Sequence, residues 1–300
     1  MSGALLEIKK KIKGVKNTRK ITKAMQLVAA SKMRQFQKRA VASRDYVWDL
    51  LEVLQNNLNA SERNIYTEER TEGRTAFVLY TSDKGLCGPL NNKLMNALFR
   101  SEQWKSLKED ERRLITIGKK AYEFAKNRDI TVTRHYVGLP EKMKSLDALH
   151  AVDGILKLWR EQNIKEVIMV APHYKNSFTF YPVMKKFLPF SEETITSTLG
   201  PLEEQEKPHQ PKDDNRSMIF EPSPEHVLNR LYEQLLEGMF IQSFLELKAA
   251  EYSSRMMAMQ NATDSADRIT TDLTRDYNKA RQAAITQEIA ELIGASMAMS

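Results

Sequence analysis

Residues 225–298 read EHVLNRLYEQLLEGMFIQSFLELKAAEYSSRMMAMQNATDSADRITTDLTRDYNKARQAAITQEIAELIGASMA and contain no proline. From Leu228 onward, steps of three and four residues land on Leu231, Leu235, Gly238, Gln242, Leu245, Ala249, Tyr252, Met256, Met259, Thr263, Ala266, Thr270, Leu273, Tyr277, Ala280 and Ala284. A sustained period of about 3.5 residues is the pattern of a coiled-coil seam. Pro224 suits a first helical turn, with Ser223 before it as N-cap. Gly238 is the flaw, at about 1 kcal/mol relative to alanine in a helix interior. Unbroken, such a helix is a rod of about 110 Å at roughly 1.5 Å per residue. No compact domain hides a rod of that length, so it is expected to project.

The other end of the chain carries a matching pattern. Leu5, Ile8, Ile12, Val15, Thr22, Ala29, Met33, Phe36 and Ala40 keep the same spacing, with Arg19 and Gln26 as polar intruders. Apolar positions continue through Val47, Leu50, Leu51, Leu54 and Leu58, which predicts a helix from about Ala4 to Leu58. Two long helices that enter and leave one globular insert should pack antiparallel. With Leu58 set level with Glu225, Leu5 falls near residue 278, and the last turns extend as a single-helix tip. The outer half of the C-terminal seam, Ala249 to Ala284, is rich in Ala, Thr, Met and Tyr. Small seam residues bring helix axes close but bury little apolar area. A thin shaft of this kind makes sense inside another protein; the plainer alternative is an ordinary three- or four-helix bundle.

Between the helices the pattern changes. Seven of the ten prolines lie from Pro182 to Pro224, and none precedes Pro89. Thr75–Tyr80, Arg113–Ile117, Ile130–Val137 and Glu166–Ala171 are β-branched or aromatic runs of strand length, and Asn92–Leu107, Lys119–Asn127 and Leu146–Gln162 have helical spacing. The alternation predicts a Rossmann-like α/β layer with a mostly parallel sheet. Phe178–Leu188 reads as an added edge or hairpin strand, since Pro182 cannot donate to a ladder. The fold class is therefore α/β with long helices. The expected domains are a coiled-coil helix over 1–60, a Rossmann-like domain over 74–190, an acidic, proline-rich connection over 191–222, and a coiled-coil helix over 223–300 that pairs with 1–60.

Charge and composition narrow the function. The 300-residue chain has net charge +7, yet residues 1–44 hold thirteen Lys or Arg against Glu7 alone, so that segment is +12 and the remainder −5. A basic arm seeks nucleic acid, anionic lipid or an acidic protein surface, or is simply a solvated helix face. Apolar runs far shorter than the roughly 20 residues of a spanning helix argue against membrane insertion. The N-terminus is basic without an apolar core, unlike a secretory signal. One cysteine, Cys87, excludes an intramolecular disulfide framework,. The five histidines do not gather at metal-ligand spacing,. A Rossmann-like sheet invites a nucleotide, but the turn after the first strand, Ser82-Asp83-Lys84-Gly85-Leu86-Cys87-Gly88, lacks G-x-G-x-x-G, and no phosphate-binding loop motif occurs,. Cys87 has no recognisable paired base. No cofactor and no metal are expected, and no catalytic residue is assigned. A nucleic-acid-binding coiled coil using the basic helix stands as the alternative, weakened because Phe36 is the only aromatic before Tyr46,.

Four stretches carry a family resemblance. Ile21-Thr22-Lys23-Ala24-Met25-Gln26-Leu27-Val28-Ala29-Ala30-Ser31-Lys32-Met33-Arg34 resembles the N-terminal signature of the γ subunit of F-type ATP synthases. Ser82 to Gly88 resembles that family's turn after the first strand. Phe220-Glu221-Pro222 followed by Pro224 resembles the entry to its C-terminal helix. Tyr277-Asn278-Lys279-Ala280-Arg281-Gln282-Ala283-Ala284-Ile285-Thr286-Gln287-Glu288-Ile289 resembles its C-terminal signature. The four come in family order and span nearly the whole chain. Departures exist: residues 189–216 follow no family pattern, Pro89 follows Gly88, and Cys87 stands without the regulatory cysteine pair of chloroplast members.

The resemblance implies a non-catalytic central rotor shaft. Its implied partners are the α and β subunits of the catalytic hexamer, the ε subunit and the membrane c-ring, with no nucleic acid among them. It implies coupling of proton flow to ATP synthesis or hydrolysis, and a peripheral position on the cytoplasmic face of a bacterial plasma membrane. By residue-level match, the expected contacts with the α/β ring are Lys23, Met25, Lys32, Arg34, Asp83, Lys84, Cys87, Arg255, Arg281, Gln282, Thr286 and Glu288. Each is otherwise read as a solvated helix or loop residue.

Overall fold

A computed structural model describes residues 3–57, 64–141, 143, 145–161, 163–176, 179–191, 194 and 221–299. The chain divides into two compact units, residues 1–30 with 255–300, and residues 31–254. Helices α1 (Gly3–Asn57) and α6 (Pro224–Met299) each contribute a segment to both. Ser223 caps α6 as expected, its Oγ accepting from the His226 amide at 3.2 Å,.

In the first unit the two segments run antiparallel. Thr22 Oγ1 lies 2.8 Å from Thr263 Oγ1, Gln26 donates to Gln260, and Arg19 pairs with Asp267. The polar intruders in the α1 seam are thus matched by polar groups across it. Thr22 and Thr263 are buried, each hydroxyl also bonds a carbonyl of its own helix (Arg19 at 3.0 Å, Met259 at 2.8 Å), and a buried polar pair matched across a seam favours one register,. Leu5, seventeen residues before Thr22, accordingly falls opposite residue 280, two beyond the expected 278. The half-buried positions Thr270, Leu273, Tyr277, Ala280 and Ala284 are the seam read from the sequence. Ile285 to Met297 are exposed.

The second unit is built on a five-stranded sheet of order β3-β2-β1-β4-β5. Its strands are β1 (Arg74–Tyr80), β2 (Arg112–Ile117), β3 (Arg134–Tyr136), β4 (Ile164–Asn176) and β5 (Thr179–Leu188). The first four are parallel to their neighbours, and β5 pairs antiparallel with β4 at the edge. Pro182 faces Pro172 across that pair. Helices α2 (Leu90–Phe99), α3 (Glu102–Lys105), α4 (Lys119–Lys126) and α5 (Ser145–Glu161) supply the crossovers. Side chains alternate across a strand. Phe77 of β1 meets Trp104 of α3 (ring centroids 5.2 Å apart), whereas Tyr80 meets Phe240 of α6 at 5.6 Å. Both sheet faces are therefore covered, which is why β1 is buried continuously from Thr75 rather than on alternate residues,. Gly118, at φ +93°, makes the turn from β2 into α4; a Cβ there would lie 2.0 Å from the Thr81 carbonyl oxygen,.

Three elements differ from expectation. The helix read over Asn92–Leu107 is broken at Arg100–Ser101. Ser101 Oγ donates to the Leu98 carbonyl at 2.7 Å and accepts from the Trp104 amide at 3.2 Å, ending one helix and capping the next,. The strand read over Ile130–Val137 shrinks to Arg134–Tyr136, because the Ile130 amide closes a turn on the Ala125 carbonyl at 3.0 Å. β4 runs past Ala171 to Asn176, since its far half pairs with β5. The connection expected over 191–222 falls almost wholly outside the described residues.

Candidate functional site

The surface most unlike that of an ordinary globular protein is on the first unit. Lys9, Lys10, Lys11, Lys13, Lys16, Lys20 and Lys23 of α1 are all exposed, and among the described residues Lys11 pairs with Glu7 at 2.8 Å. The α1 segment of this unit holds eight bases against Glu7, whereas the α6 segment holds five bases and six acids. The two helices thus present faces of different charge. Ile21, Leu27 and Val28 are about 60% exposed among the lysines. Met25 beside them is half-buried. Arg281, Gln282, Thr286 and Glu288 are exposed on α6, and Thr286 Oγ1 donates to the Gln282 carbonyl at 3.0 Å. Arg255 belongs to this unit too but is 8% exposed. It is the least exposed of the expected contact residues on this unit.

In the second unit, Arg34 is exposed, and Lys32 is held by Glu141 at 2.7 Å. Glu141 also accepts from Tyr252, and its carbonyl accepts from Arg39 at 3.1 Å. Burial pushes the Glu141 carboxyl up, but Lys32 and Tyr252 outweigh that and hold it below the ordinary glutamate range,.

The turn after β1 sits where strand order reverses between β1 and β4, the crevice in which α/β sheets hold ligands,. The chain's own groups staple this turn to the segments that follow β2 and β3. Asp83 Oδ1 accepts from the Lys119 amide at 2.9 Å and the Gly138 amide at 3.3 Å. Thr81 Oγ1 accepts from the Ala121 amide at 2.9 Å. The amide groups at the start of α4, which could have cradled a phosphate, are capped by side chains of this turn. Asp83 is therefore an internal staple, while Lys84 and Leu86 are exposed. Cys87 is buried: Asn91 Nδ2 lies 3.2 Å from its Sγ, and its carbonyl accepts from Ser254 Oγ at 2.6 Å. Its thiol meets Asn91 and Ser82.

Sequence reasoning missed two features. Ile21, Leu27 and Val28 lie off the seam, so the helical period itself leaves them exposed. A buried ionic cluster around Glu246 had no local signal.

A family model described as ATP synthase matches residues 4–299. A chain in the Euglena gracilis mitochondrial ATP synthase OSCP/F1/c-ring structure, rotational state 3, is similar at 19% identity with a TM-score of 0.69, over 99% of this chain and 95% of that one. A chain from the rotor of the same organism's enzyme, rotational state 1, is 18% identical with a TM-score of 0.61, over 94% and 99%. A chain from the central stalk and c-ring of Tetrahymena thermophila mitochondrial ATP synthase is 23% identical with a TM-score of 0.58, over 81% and 99%. At these identities the likeness to the three is one of fold. No finding supports the nucleic-acid alternative.

Proposed function

Because the chain belongs to the ATP synthase family, as a γ subunit of the central rotor, we propose that it couples rotation to the nucleotide cycle of an α/β ring without catalysing any step itself. The observation that supports this is the charge asymmetry of the first unit. A shaft bound equally at every angle transmits nothing, since a ligand with equal affinity for two states shifts neither. A lysine face on α1 beside a near-neutral face on α6 gives different ring subunits different contacts at one angle. Lys23, Arg34, Lys84, Arg281, Gln282, Thr286 and Glu288 are exposed to make them, and Met25 lies beside exposed Ile21 and Val28, where an adaptable side chain suits a sliding surface,. Lys32 could reach a ring only by leaving Glu141.

The partners under this reading are the α and β subunits, an ε subunit and a membrane c-ring, with proton flow as the driving process. Among the described residues no helix is long and apolar enough to cross a membrane. Membrane association is then indirect, through the c-ring, on the cytoplasmic face of a bacterial plasma membrane. The decisive experiment is co-purification with α and β subunits, followed by ATPase and ATP-driven proton pumping with and without this chain. The proposal predicts that the ring hydrolyses ATP and that pumping requires the chain. Pumping without it would refute the proposal.

A further inference from the structure

Within the second unit, Glu246 of α6 is 4% exposed, yet three elements converge on its carboxylate. From the β4–β5 hairpin, the Tyr174 amide donates to Oε2 at 3.3 Å and His173 Nδ1 lies 3.3 Å from the same oxygen. From α1, Arg44 Nη2 lies 3.8 Å from Oε1. From one turn earlier on α6, Gln242 Nε2 donates to Oε1 at 3.0 Å. Lys185 of β5 adds an electrostatic attraction. One buried carboxylate thus serves two strands and a helix.

This arrangement is poorly explained as a stabilising device. A buried ionic cluster is often no more stable than an apolar core of the same shape. This one is also incompletely satisfied. Of the buried side-chain atoms without a hydrogen-bond partner among the described residues, Arg44 Nε, His173 Nδ1 and Gln242 Oε1 all belong to it. What the cluster supplies is direction. Apolar packing is non-directional and opposes sliding of helix on strand only weakly. A buried charge set is strongly distance-dependent, and slip leaves it uncompensated. The hairpin also touches α1 through Gln37, which donates to the Tyr174 hydroxyl, so Glu246 and Gln37 grip neighbouring residues of β4 from two helices.

We propose that Glu246 is a positioning residue that locks the β4–β5 hairpin onto α1 and α6, so that torsion on the sheet is carried into the helices instead of being lost as slip. The inference rests on the rotor reading. Its test uses the assembled ATP synthase carrying wild-type chain, Glu246→Gln or Arg44→Gln. Glu246→Gln keeps the side-chain shape and removes the charge. The readout is protons pumped per ATP hydrolysed, which a merely structural role does not move once assembly and hydrolysis are normal. Glu246→Gln is expected to lower that ratio about fivefold, the low end of ordinary coupling energies, with hydrolysis retained. Arg44→Gln, which cuts only the α1 link, should fall between it and wild type, and it decides the matter if Glu246→Gln does not assemble. An unchanged ratio in the assembled variants overturns the proposal while leaving the rotor reading intact; a wild-type chain that supports no pumping overturns the rotor reading instead. Hydrogen exchange on the isolated chain tests the lock independently. Glu246→Gln should raise exchange at the Tyr174 amide more than at β1, and equal change across the sheet counts against a specific lock.

Discussion

Gly238 offers the sharpest test of how α1 and α6 pack. On helix propensity alone, Gly238→Ala should stabilise the chain by about 1 kcal/mol. The structure reverses that expectation. A Cβ at position 238 would lie 2.7 Å from Val47 Cγ2, against the roughly 3.5–4 Å of ordinary carbon contact. Val47 is fully buried, and a β-branched side chain has few rotamers into which to retreat,. Overpacking of this kind costs about 1–3 kcal/mol, so the net effect is a loss of about 0–2 kcal/mol. Val47→Ala removes the obstructing methyl groups and on its own costs about 1.5–3 kcal/mol in lost burial and cavity. In the double variant the new methyl at 238 occupies part of that cavity and the helix gains its propensity term. The pair should therefore be less destabilised than the sum of the singles, with a coupling of about 2 kcal/mol. Urea unfolding followed by tryptophan fluorescence reads this out, because Trp48, Trp104 and Trp159 all lie in the second unit. A Gly238→Ala variant about 1 kcal/mol more stable than wild type, or a cycle additive to within about 0.5 kcal/mol, would show that the close approach at Val47 is not what excludes a side chain there.

Other outcomes follow from the same structure. The Arg281→Ala, Gln282→Ala double variant should assemble normally but pump fewer protons per ATP; unimpaired coupling removes both residues from the contact surface. Cys87 should react slowly with a thiol reagent, and Ser254→Ala should speed the reaction by roughly tenfold, the factor given by losing about 1.4 kcal/mol from one buried hydrogen bond; fast labelling of the native chain would contradict the burial of the turn. Glu141 titrates below the ordinary glutamate value of 4.5 in the folded chain, so its stabilising contribution is complete above that value and is lost as pH falls through the lowered one. Lys32→Ala should shrink that acid-side loss, measured as thermal midpoint against pH from neutral downward, and an unchanged profile would show that the pair contributes nothing. Arg19→Ala should cost less than about 1 kcal/mol, because Arg19 and Asp267 are each about half exposed,; hydrogen exchange along residues 255–284 checks this.

The sequence by itself determined the positions set by helical period and by proline. The seam positions from Thr263 to Ala284 are half-buried or buried as the 3.5-residue period requires, because a helix returns each such residue to one face whatever lies opposite,. Pro182 sits on an edge strand because a residue without an amide hydrogen can serve nowhere else in a ladder,. The charge asymmetry was likewise a matter of counting. Tertiary structure decided what depends on distant partners. Arg19 and Gln26 looked like faults in the seam until Asp267 and Gln260 met them. Lys32, Asp83 and Cys87 took remote partners in Glu141, the Lys119 amide and Ser254, and Arg255 is buried, none of which a local pattern records. The Glu246 cluster joins residues 44, 173, 185, 242 and 246, and no window of sequence holds more than two of them. Period and punctuation are properties of a chain segment, whereas the partner of a buried charge is chosen only when remote segments are brought within a few ångströms.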